Sequence, residues 1–439
     1  LGRLTSRSEP EGTSTWTWGT IADNTANAKY VGGLKALAGP GYAESYVNDA
    51  YGRLKTRTVT SDASYQIDYG YNTLGTLDTL TYPVSTAGYR LKLQYDYSNG
   101  VPVAIKDFNA PTTVIWSSTA NDARGAVIDE TLGTNLRVLT GRDPLTGQMD
   151  YRQAGVGGGS SLQNLAYSWD VNDNLTSRGD ANQAGSCTVG GAAGKLCESF
   201  TYDSLERLDT VSRNGTQTLN VDYDLIGNIS SRSDVGTYSY HASKKHAVTA
   251  AGSNTFAYDA NGNVITRNGA TLGWASYDLP TALVAGSNSA SFAYAPDRSR
   301  WRQVATTAGV TATTIYVAGI LEKVSKPSLT LWKHTVIGPT GLGAVYVRRS
   351  DGTADTYYLT TDHLGSTDKI LKAAGSTLQV AESFAPYGAR RGSNWQGAPS
   401  SADLTAIGNT TPHGYTGHEM LDGVGLIHMN GRVYDPVVG

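Results

Sequence analysis

The chain has 439 residues, of which 17% are charged and 39% are apolar, with 51 glycines, 27 tyrosines and five phenylalanines. Both fractions lie below those of an ordinary globular domain, at about 25% and 45–50%, so a thin sheet with both faces wet is expected rather than a close-packed interior. A formal net charge of −3, with scattered Lys and Arg, argues against nucleic acid as a ligand.

No apolar run approaches the roughly 18 residues that a transmembrane segment requires. The first residues, LGRLTSRSEP, lack the apolar core of a signal peptide. Any export signal is therefore expected outside this sequence.

One short motif, aromatic-Asp-x-x-Gly-[Arg/Asn]-[Leu/Ile/Val], recurs from the N-terminus to about residue 300. LGRL at residues 1–4 is interpreted as a copy without its beginning. The other copies, complete or partial, begin at Asp49, Tyr71-Asn72, Asp122, Asp143, Trp169-Asp170, Tyr202-Asp203, Tyr223-Asp224 and Tyr258-Asp259. Internal repetition of this kind is typical of one structural unit stacked many times.

The spacing and the turn residues predict β-hairpins. Asp203 and Asp224 stand 21 residues apart, which is one hairpin per repeat. Asp favours the first position of a type I turn and Gly the fourth, where the backbone is left-handed, so we predict structural turns at Asp224-Gly227 and Asp259-Gly262. Glu206 takes the glycine position after Asp203 and should cost about 1 kcal/mol if it adopts the same conformation.

The strand before each turn predicts a ladder of aromatic side chains. In FAYD, Phe256 and Tyr258 share one face and Ala257 lies on the other, and Val221 and Tyr223 repeat this in VDYD. Stacked tyrosines would bury ring area and keep each hydroxyl near water or a polar partner. A single repeat cannot bury its apolar face, so we predict one continuous antiparallel sheet.

Two cysteines, Cys187 and Cys197, flank the flexible stretch CTVGGAAGKLC. A short disulfide-closed loop is the favoured interpretation. Two free thiols remain the alternative, because only an oxidising compartment preserves such bonds and the sequence does not name the compartment.

Three ordered motifs near the C-terminus resemble the YD-repeat, or Rhs, family. They are YYLTTDHLGSTDKIL (357–371), ESFAPYGARRG (382–392) and GYTGHEMLDGVGLIHMNGRVYDPVVG (414–439). The first resembles the DHLGS signature of the Rhs-associated core, through Asp362, His363 and Gly365. The last resembles its closing RYYDP-x-x-G element, through Tyr434, Asp435 and Pro436. The resemblance implies a repeat region over 1–310 and a core region over 311–439.

This resemblance, which extends to bacterial polymorphic toxin shells and the C-type components of Tc toxins, implies an all-β fold. Antiparallel hairpins would form a spiralling sheet around a hollow shell, or a portion of one. The implied function is non-enzymatic: a secreted or cell-surface bacterial shell that sequesters its own C-terminal toxin domain for delivery to a competing cell. Secretion-apparatus proteins or a second shell are further implied partners.

The family's cleavage motif follows the DPxxG element, so the protease residues and the toxin are expected outside this sequence. Self-cleavage by this chain is therefore unsupported, and Tyr434 and Asp435 are interpreted as structural residues.

We expect no catalytic residue, metal or cofactor. A zinc site from His413, His418 and His428 beside Glu419 is imaginable, but the segment has no cysteine and His418 stands where the family motif has Gln. Asp362 could orient a ring nitrogen of His363, yet a buried, hydrogen-bonded turn is the favoured interpretation. The chain contains no G-x-S-x-G elbow, P-loop or C-x-x-C pair.

Carbohydrate binding or adhesion by exposed aromatic rows is the rival function. Seven of the eight tryptophans are spread along the chain rather than gathered in one platform, which favours packing: Trp16, Trp18, Trp116, Trp274, Trp301, Trp332 and Trp395. The direction in which the aromatic side chains point would discriminate between the two functions.

Overall fold

The computed structural model describes residues 2–185, 187–189, 192–194, 196–372 and 377–439. Within these ranges, 34 strands join into one sheet, and the pairings along it are antiparallel. The predicted all-β fold with a continuous antiparallel sheet is confirmed. In the same ranges no helix is long and apolar enough to span a membrane.

The strands are short and follow one another closely. In the first part of the chain they are Ser6–Glu9, Gly12–Trp18, Leu34–Gly39, Tyr42–Asn48, Leu54–Thr60, Ser64–Tyr71, Leu77–Thr81, Lys92–Ser98, Val101–Asp107, Ala110–Asn121, Val127–Leu132, Leu136–Arg142, Met149–Val156, Gln163–Trp169 and Leu175–Asp180. The middle part contains Cys187–Val189, Ala192–Gly194, Leu196–Tyr202, Leu208–Arg213, Thr216–Tyr223, Ile229–Arg232, Gly236–Tyr240, Val248–Ala251, Asn254–Tyr258, Val264–Arg267, Ala270–Trp274, Pro280–Ala285, Asn288–Tyr294 and Arg300–Thr307.

The last part contains Val310–Val317, Leu321–Lys326, Leu329–Gly338, Gly341–Arg349, Ala354–Thr361, Thr367–Lys372, Thr377–Ala381, Ser383–Phe384, Arg390–Arg391, Glu419–Leu421, Leu426–His428 and Val433–Tyr434. One α-helix, Ser401–Thr410, occurs in the described residues, together with 3₁₀ turns at Ile21–Asp23, Thr86–Gly88 and Tyr415–Gly417. Ser400 caps the helix by accepting a hydrogen bond from the Asp403 N–H.

Each repeat is one hairpin, as its period predicts. Strands Leu208–Arg213 and Thr216–Tyr223 pair antiparallel across Asn214 and Gly215, which have φ of 47° and 80°. Positive φ at both central residues defines a type I′ turn, which Asn-Gly strongly favours. The opposite tip of the repeat is the turn that begins at Asp224.

The chain divides into two compact units. One comprises Leu1–Ser117, Trp274–Leu283 and Ser287–Tyr357, and the other comprises Ser118–Gly273, Val284–Gly286 and Tyr358–Gly439. The predicted boundary between a repeat region and a core at residue 310 rests on sequence motifs alone and stays a prediction.

Both units bury one face of their strands. In the first unit Val59, Ile67 and Leu93 are fully buried. In the second, Phe200, Val211, Leu219 and Val221 form an apolar cluster. The expectation of a sheet wet on both faces is therefore wrong, because even short strands with few large aliphatics align enough Val, Leu and Ile on one side to exclude water.

Candidate functional site

The turn at Asp224 shows how each repeat is closed. Oδ1 of Asp224 accepts hydrogen bonds from the backbone N–H groups of Ile226 (3.0 Å) and Asn228 (2.9 Å). The Gly227 N–H donates to the Asp224 carbonyl (3.1 Å), and Gly227 has φ of 91°. Because a carboxylate can accept two N–H groups at once, aspartate fixes the whole five-residue loop. The structure places Asp203, Asp259 and Gly262 in turns of the same kind.

The copy that begins at Asp203 has Glu206 in place of glycine and keeps the same backbone. Glu206 has φ of 61°, the left-handed conformation of the glycine position. Its carboxylate accepts hydrogen bonds from the side-chain amides of Asn172 (2.9 Å) and Asn174, in the preceding turn. These bonds between neighbouring turns offset part of the conformational cost of a non-glycine residue.

Where an aromatic residue stands directly before the turn, it connects its repeat to the preceding one. The hydroxyl of Tyr258 donates to the backbone carbonyl of Val248 (2.7 Å), and that of Tyr223 donates to the carbonyl of Leu208 (2.9 Å). Equivalent bonds are Tyr202 to Leu175, Tyr71 to Leu54, Tyr97 to Leu77, Tyr294 to Pro280 and, through the indole N–H, Trp169 to Met149.

In most of these bonds the acceptor directly follows the preceding turn. The aromatic residue of the motif is thus a donor aimed at the previous repeat, and tyrosine supplies both the buried ring and the polar tip. Sequence analysis predicted a polar partner for the hydroxyl but did not identify which one.

The arginine of the motif contacts two neighbouring side chains. Nε of Arg207 donates to Oδ2 of Asp203 (2.8 Å), and its guanidinium carbon lies 4.1 Å from the ring centre of Tyr223. The hydrogen bond from Arg207 lowers the pKa of Asp203. Arg53 makes the same ion pair with Asp49 and lies over the ring of Tyr71, so a single side chain links its own turn to the next aromatic residue.

The DHLGS signature is a further copy of this turn, which sequence analysis missed. Oδ1 of Asp362 accepts the N–H groups of Leu364 (2.9 Å) and Ser366 (2.8 Å). The Gly365 N–H donates to the Asp362 carbonyl (3.2 Å), with φ of 78° at Gly365. The D-x-x-G spacing was the available signal, but Thr361 stands where the repeats carry an aromatic residue.

His363 packs at this turn between aromatic rings. Its ring centre lies 4.5 Å from that of Tyr167 and 5.8 Å from that of Trp169. Burial, aided by the charge of Arg178, lowers the pKa of His363 to about 3, so the ring is neutral at physiological pH. Asp362 binds backbone N–H groups instead of orienting the His363 ring. The structure thus places both residues in a packed turn.

A buried ion-pair triad holds the core segment (residues 358–439) against the repeats. Glu198, whose side chain is 2% exposed, accepts hydrogen bonds from Arg178 (2.7 Å) and from Arg391 (2.9 Å). Burial raises the pKa of Glu198, but the two guanidinium groups outweigh it and lower that pKa to about 2. Charge-assisted bonds of this kind, out of contact with water, are strong and directional.

Further ion pairs surround the triad. Arg390 pairs with Glu382, which is buried, and with Asp422 at 3.2 Å. The ring of Trp395 has the guanidinium carbons of both Arg178 and Arg391 at 5.3 Å. The Glu198–Arg391 and Trp395–Arg178 contacts join residues about 200 positions apart and follow no period, so sequence analysis had no signal for them.

The closing YDP element docks on the repeats as well. Asp435 forms an ion pair with Arg267, and its Oδ1 lies 3.0 Å from Nη2 of that arginine. The Tyr434 hydroxyl donates to the Tyr387 carbonyl (2.9 Å). Pro436 lies at the edge of an open pocket beside this element. Through these contacts Tyr434 and Asp435 hold the last residues of the sequence in place.

The structure joins Cys187 and Cys197 by a disulfide, with Cα atoms 6.3 Å apart. The loop between them includes positions outside the described residues.

Nδ1 of His413 contacts the Gly417 carbonyl (2.9 Å) and Nδ1 of His418 contacts the Thr416 hydroxyl (2.8 Å). Across the described part of the chain, no three His, Cys, Asp or Glu side chains are grouped to hold a metal ion.

The tryptophans with the least exposure are Trp116, Trp301 and Trp395, all of which are buried. Together with the tyrosine hydroxyls that bind backbone carbonyls, they are used for packing. The aromatic residues of the motif therefore contribute to the sheet rather than to an open row of rings.

Comparison with solved structures gives a likeness over the full chain. The crystal structure of TcdB2-TccC3-Cdc42 matches with a TM-score of 0.77 and 17% identity, over 100% of this chain and 25% of that one. TcdB2-TccC3-TEV matches with a TM-score of 0.78 and 17% identity, over 99% and 24%. TcdB2-TccC3 without its hypervariable C-terminal region matches with a TM-score of 0.70 and 15% identity, over 100% and 25%.

At such identities the likeness establishes the fold alone. The chain spans about a quarter of the length of the chains that it matches. No protein-family model matches it, and no curated protein does. Membership of the YD-repeat family therefore stays a prediction from the sequence motifs.

Proposed function

We propose that this chain builds a wall that encloses a toxic polypeptide and keeps it from its surroundings until delivery. The observation that carries the proposal is the full-length likeness in fold to the TcdB2-TccC3 structures, at a TM-score of 0.77. The three core motifs, in the order and spacing of the Rhs-associated core, support the same function independently.

The construction of the sheet supports a barrier. A strand at a sheet edge offers unpaired N–H and C=O groups to other chains, and continuous pairing removes those edges. Here 34 strands join into one sheet within the described residues, and tyrosine hydroxyls and arginines bind neighbouring repeats together. Such a wall would keep a protease out physically, without catalysing any reaction.

The proposed role is non-enzymatic. The two residues that most invite a catalytic interpretation, Asp362 and His363, are used in a turn and in ring packing. We propose that the partner is a toxic polypeptide encoded C-terminal to the core, with secretion-apparatus proteins or a second shell as further partners. A secreted or cell-surface location is part of the same proposal.

Protease protection tests the proposal. A protease-labile reporter polypeptide is fused after Gly439, the fusion is treated with a broad-specificity protease, and reporter cleavage is followed by mass spectrometry. We expect the reporter to survive while the wall is folded and to be digested once urea unfolds it.

The control is the same reporter and linker on an unrelated β-sheet carrier, which should be cut at once. Reporter cleavage at the control rate in the folded fusion would refute enclosure by this chain.

A further inference from the structure

An open pocket of about 560 Å³ lies in the compact unit that contains the core segment. Its walls come from the repeat strands and from the stretches that carry the ESFAPYGARRG motif (382–392) and the YDP element. The charged groups at its surface are Arg213, Arg232, Arg390, Arg391, Glu198 and Asp234. Pockets of 300–1,000 Å³ with a few convergent polar groups are typical of ligand sites.

The ion pairs around this pocket leave one positive charge without a counterpart. Asp234 pairs with Arg232 (2.8 Å), and Glu382 and Asp422 pair with Arg390. Glu198 is shared between two arginines, Arg178 and Arg391.

Arg213 is the exception. Its Nη1 donates only to the backbone carbonyl of Trp395 (3.1 Å), and no carboxylate among the described residues forms an ion pair with it. Its remaining N–H groups can therefore take an acceptor from a ligand, and a guanidinium presents them as a fork that matches a carboxylate.

Trp395, whose carbonyl Arg213 binds, forms part of the pocket wall. This bulky residue has φ of 61° and is 7% exposed. Its left-handed backbone is that of the fourth position of a turn, since the Trp395 N–H donates to the Gly392 carbonyl (2.9 Å). The carbonyl that Arg213 binds belongs to this same residue, so the buried Trp395 and the remaining donors of Arg213 lie next to each other at the pocket.

We infer that the pocket binds an acidic side chain presented by a polypeptide segment, with the carboxylate on Arg213 beside Trp395. A volume of about 560 Å³ exceeds what a single oxyanion needs and admits neighbouring residues of a peptide. The inference rests on the proposed function only for the source of the ligand, which would be the enclosed polypeptide. The pocket would then hold that polypeptide at one acidic position.

Isothermal titration calorimetry at low ionic strength tests this on the full chain. The probe is the peptide Gly-Ser-Gly-Glu-Gly-Ser-Gly with blocked ends, and the comparison is the same peptide with Gln for Glu. We expect the Glu peptide to bind about tenfold more tightly, because a hydrogen bond to a charged carboxylate is stronger than one to a neutral amide. Arg213→Gln should abolish that preference, and Arg213→Lys should keep part of it.

Arg302→Gln is the matched control, since it removes the same charge from an exposed arginine in the other compact unit. It should leave binding unchanged. Circular dichroism of Arg213→Gln checks that the variant is folded.

Three results would overturn the inference: no binding of the Glu peptide, binding that Arg213→Gln does not weaken, or inorganic phosphate binding as tightly as the peptide, which would indicate a simple anion site. If the peptide fails to bind while the fused reporter stays protected, only the pocket assignment falls. If the peptide binds but the reporter is digested, enclosure of the polypeptide is refuted while the pocket assignment stands.

Discussion

In the compact unit that contains the core segment, the repeats and the core segment are stabilised in different ways. A repeat turn such as Asp259-Gly262 is held by hydrogen bonds within five residues, and one tyrosine bond joins it to the previous repeat. The core segment is held by ion pairs such as Glu198–Arg391 and Arg267–Asp435, whose partners are 193 and 168 positions apart. Local bonds repeat with the sequence period, whereas the distant ion pairs follow no pattern.

The largest expected effect comes from breaking the buried triad. Glu198→Gln leaves Arg178 and Arg391 buried without a carboxylate, which should lower the free energy of unfolding by about 3–5 kcal/mol. Urea denaturation followed by tryptophan fluorescence measures it. Glu206→Gln, which changes an exposed turn carboxylate, should cost under about 1 kcal/mol. If both substitutions lowered the free energy of unfolding equally, the repeats and the core segment would not differ in the way proposed.

Acidification should lower the stability of the core segment because it protonates Glu198. The folded-state pKa of Glu198 is about 2, below its ordinary value of 4.5. A lowered pKa contributes stability that is present above pH 4.5 and is lost as the pH falls from about 4.5 towards 2. The stability difference between the wild type and Glu198→Gln, measured over this range, should therefore shrink with acidification. A difference that stays constant would contradict the assignment.

Glycine at the fourth turn position should contribute less. Gly262 has φ of 98° with open space around its Cα, so Gly262→Ala meets no clash and pays only for the left-handed backbone, about 1–2 kcal/mol. Gly408→Ala, in the helix Ser401–Thr410 with equally open space, should instead stabilise by about 0.5–1 kcal/mol. Thermal unfolding of both variants measures the two changes in stability. If Gly408→Ala lost as much stability as Gly262→Ala, the left-handed backbone at Gly262 would not be the cause of the loss.

The smallest effect is expected for a single tyrosine bond. Tyr258→Phe removes the hydroxyl that donates to Val248 and should cost about 1 kcal/mol. Tyr151 is 41% exposed, and Tyr151→Phe should be close to neutral. The two variants are compared by urea denaturation. If Tyr258→Phe were also neutral, the bond between repeats would have no energetic role.

The sequence predicts the repeats well because their contacts are local. Asp and Gly at fixed spacing identify the turns, and alternation places Phe256 and Tyr258 on one face, both half-buried, while Ala257 is exposed. Glu206 has the left-handed backbone of the glycine position, for which sequence analysis stated only the cost if that conformation were kept.

The remaining features depend on tertiary contacts. The acceptor of each tyrosine hydroxyl lies in another repeat, and the triad around Glu198 joins three segments that no spacing relates. The turn at Asp362 was predictable in principle, since it has the D-x-x-G spacing, but it lacks the preceding aromatic residue that marks the other copies.

An electron cryo-microscopy map of the chain fused to a C-terminal polypeptide would test enclosure most directly. The account predicts density for the added polypeptide bounded by the strand ladder, with the core segment held at Glu198. A separate body of density outside the sheet, with the sheet itself intact, would contradict it.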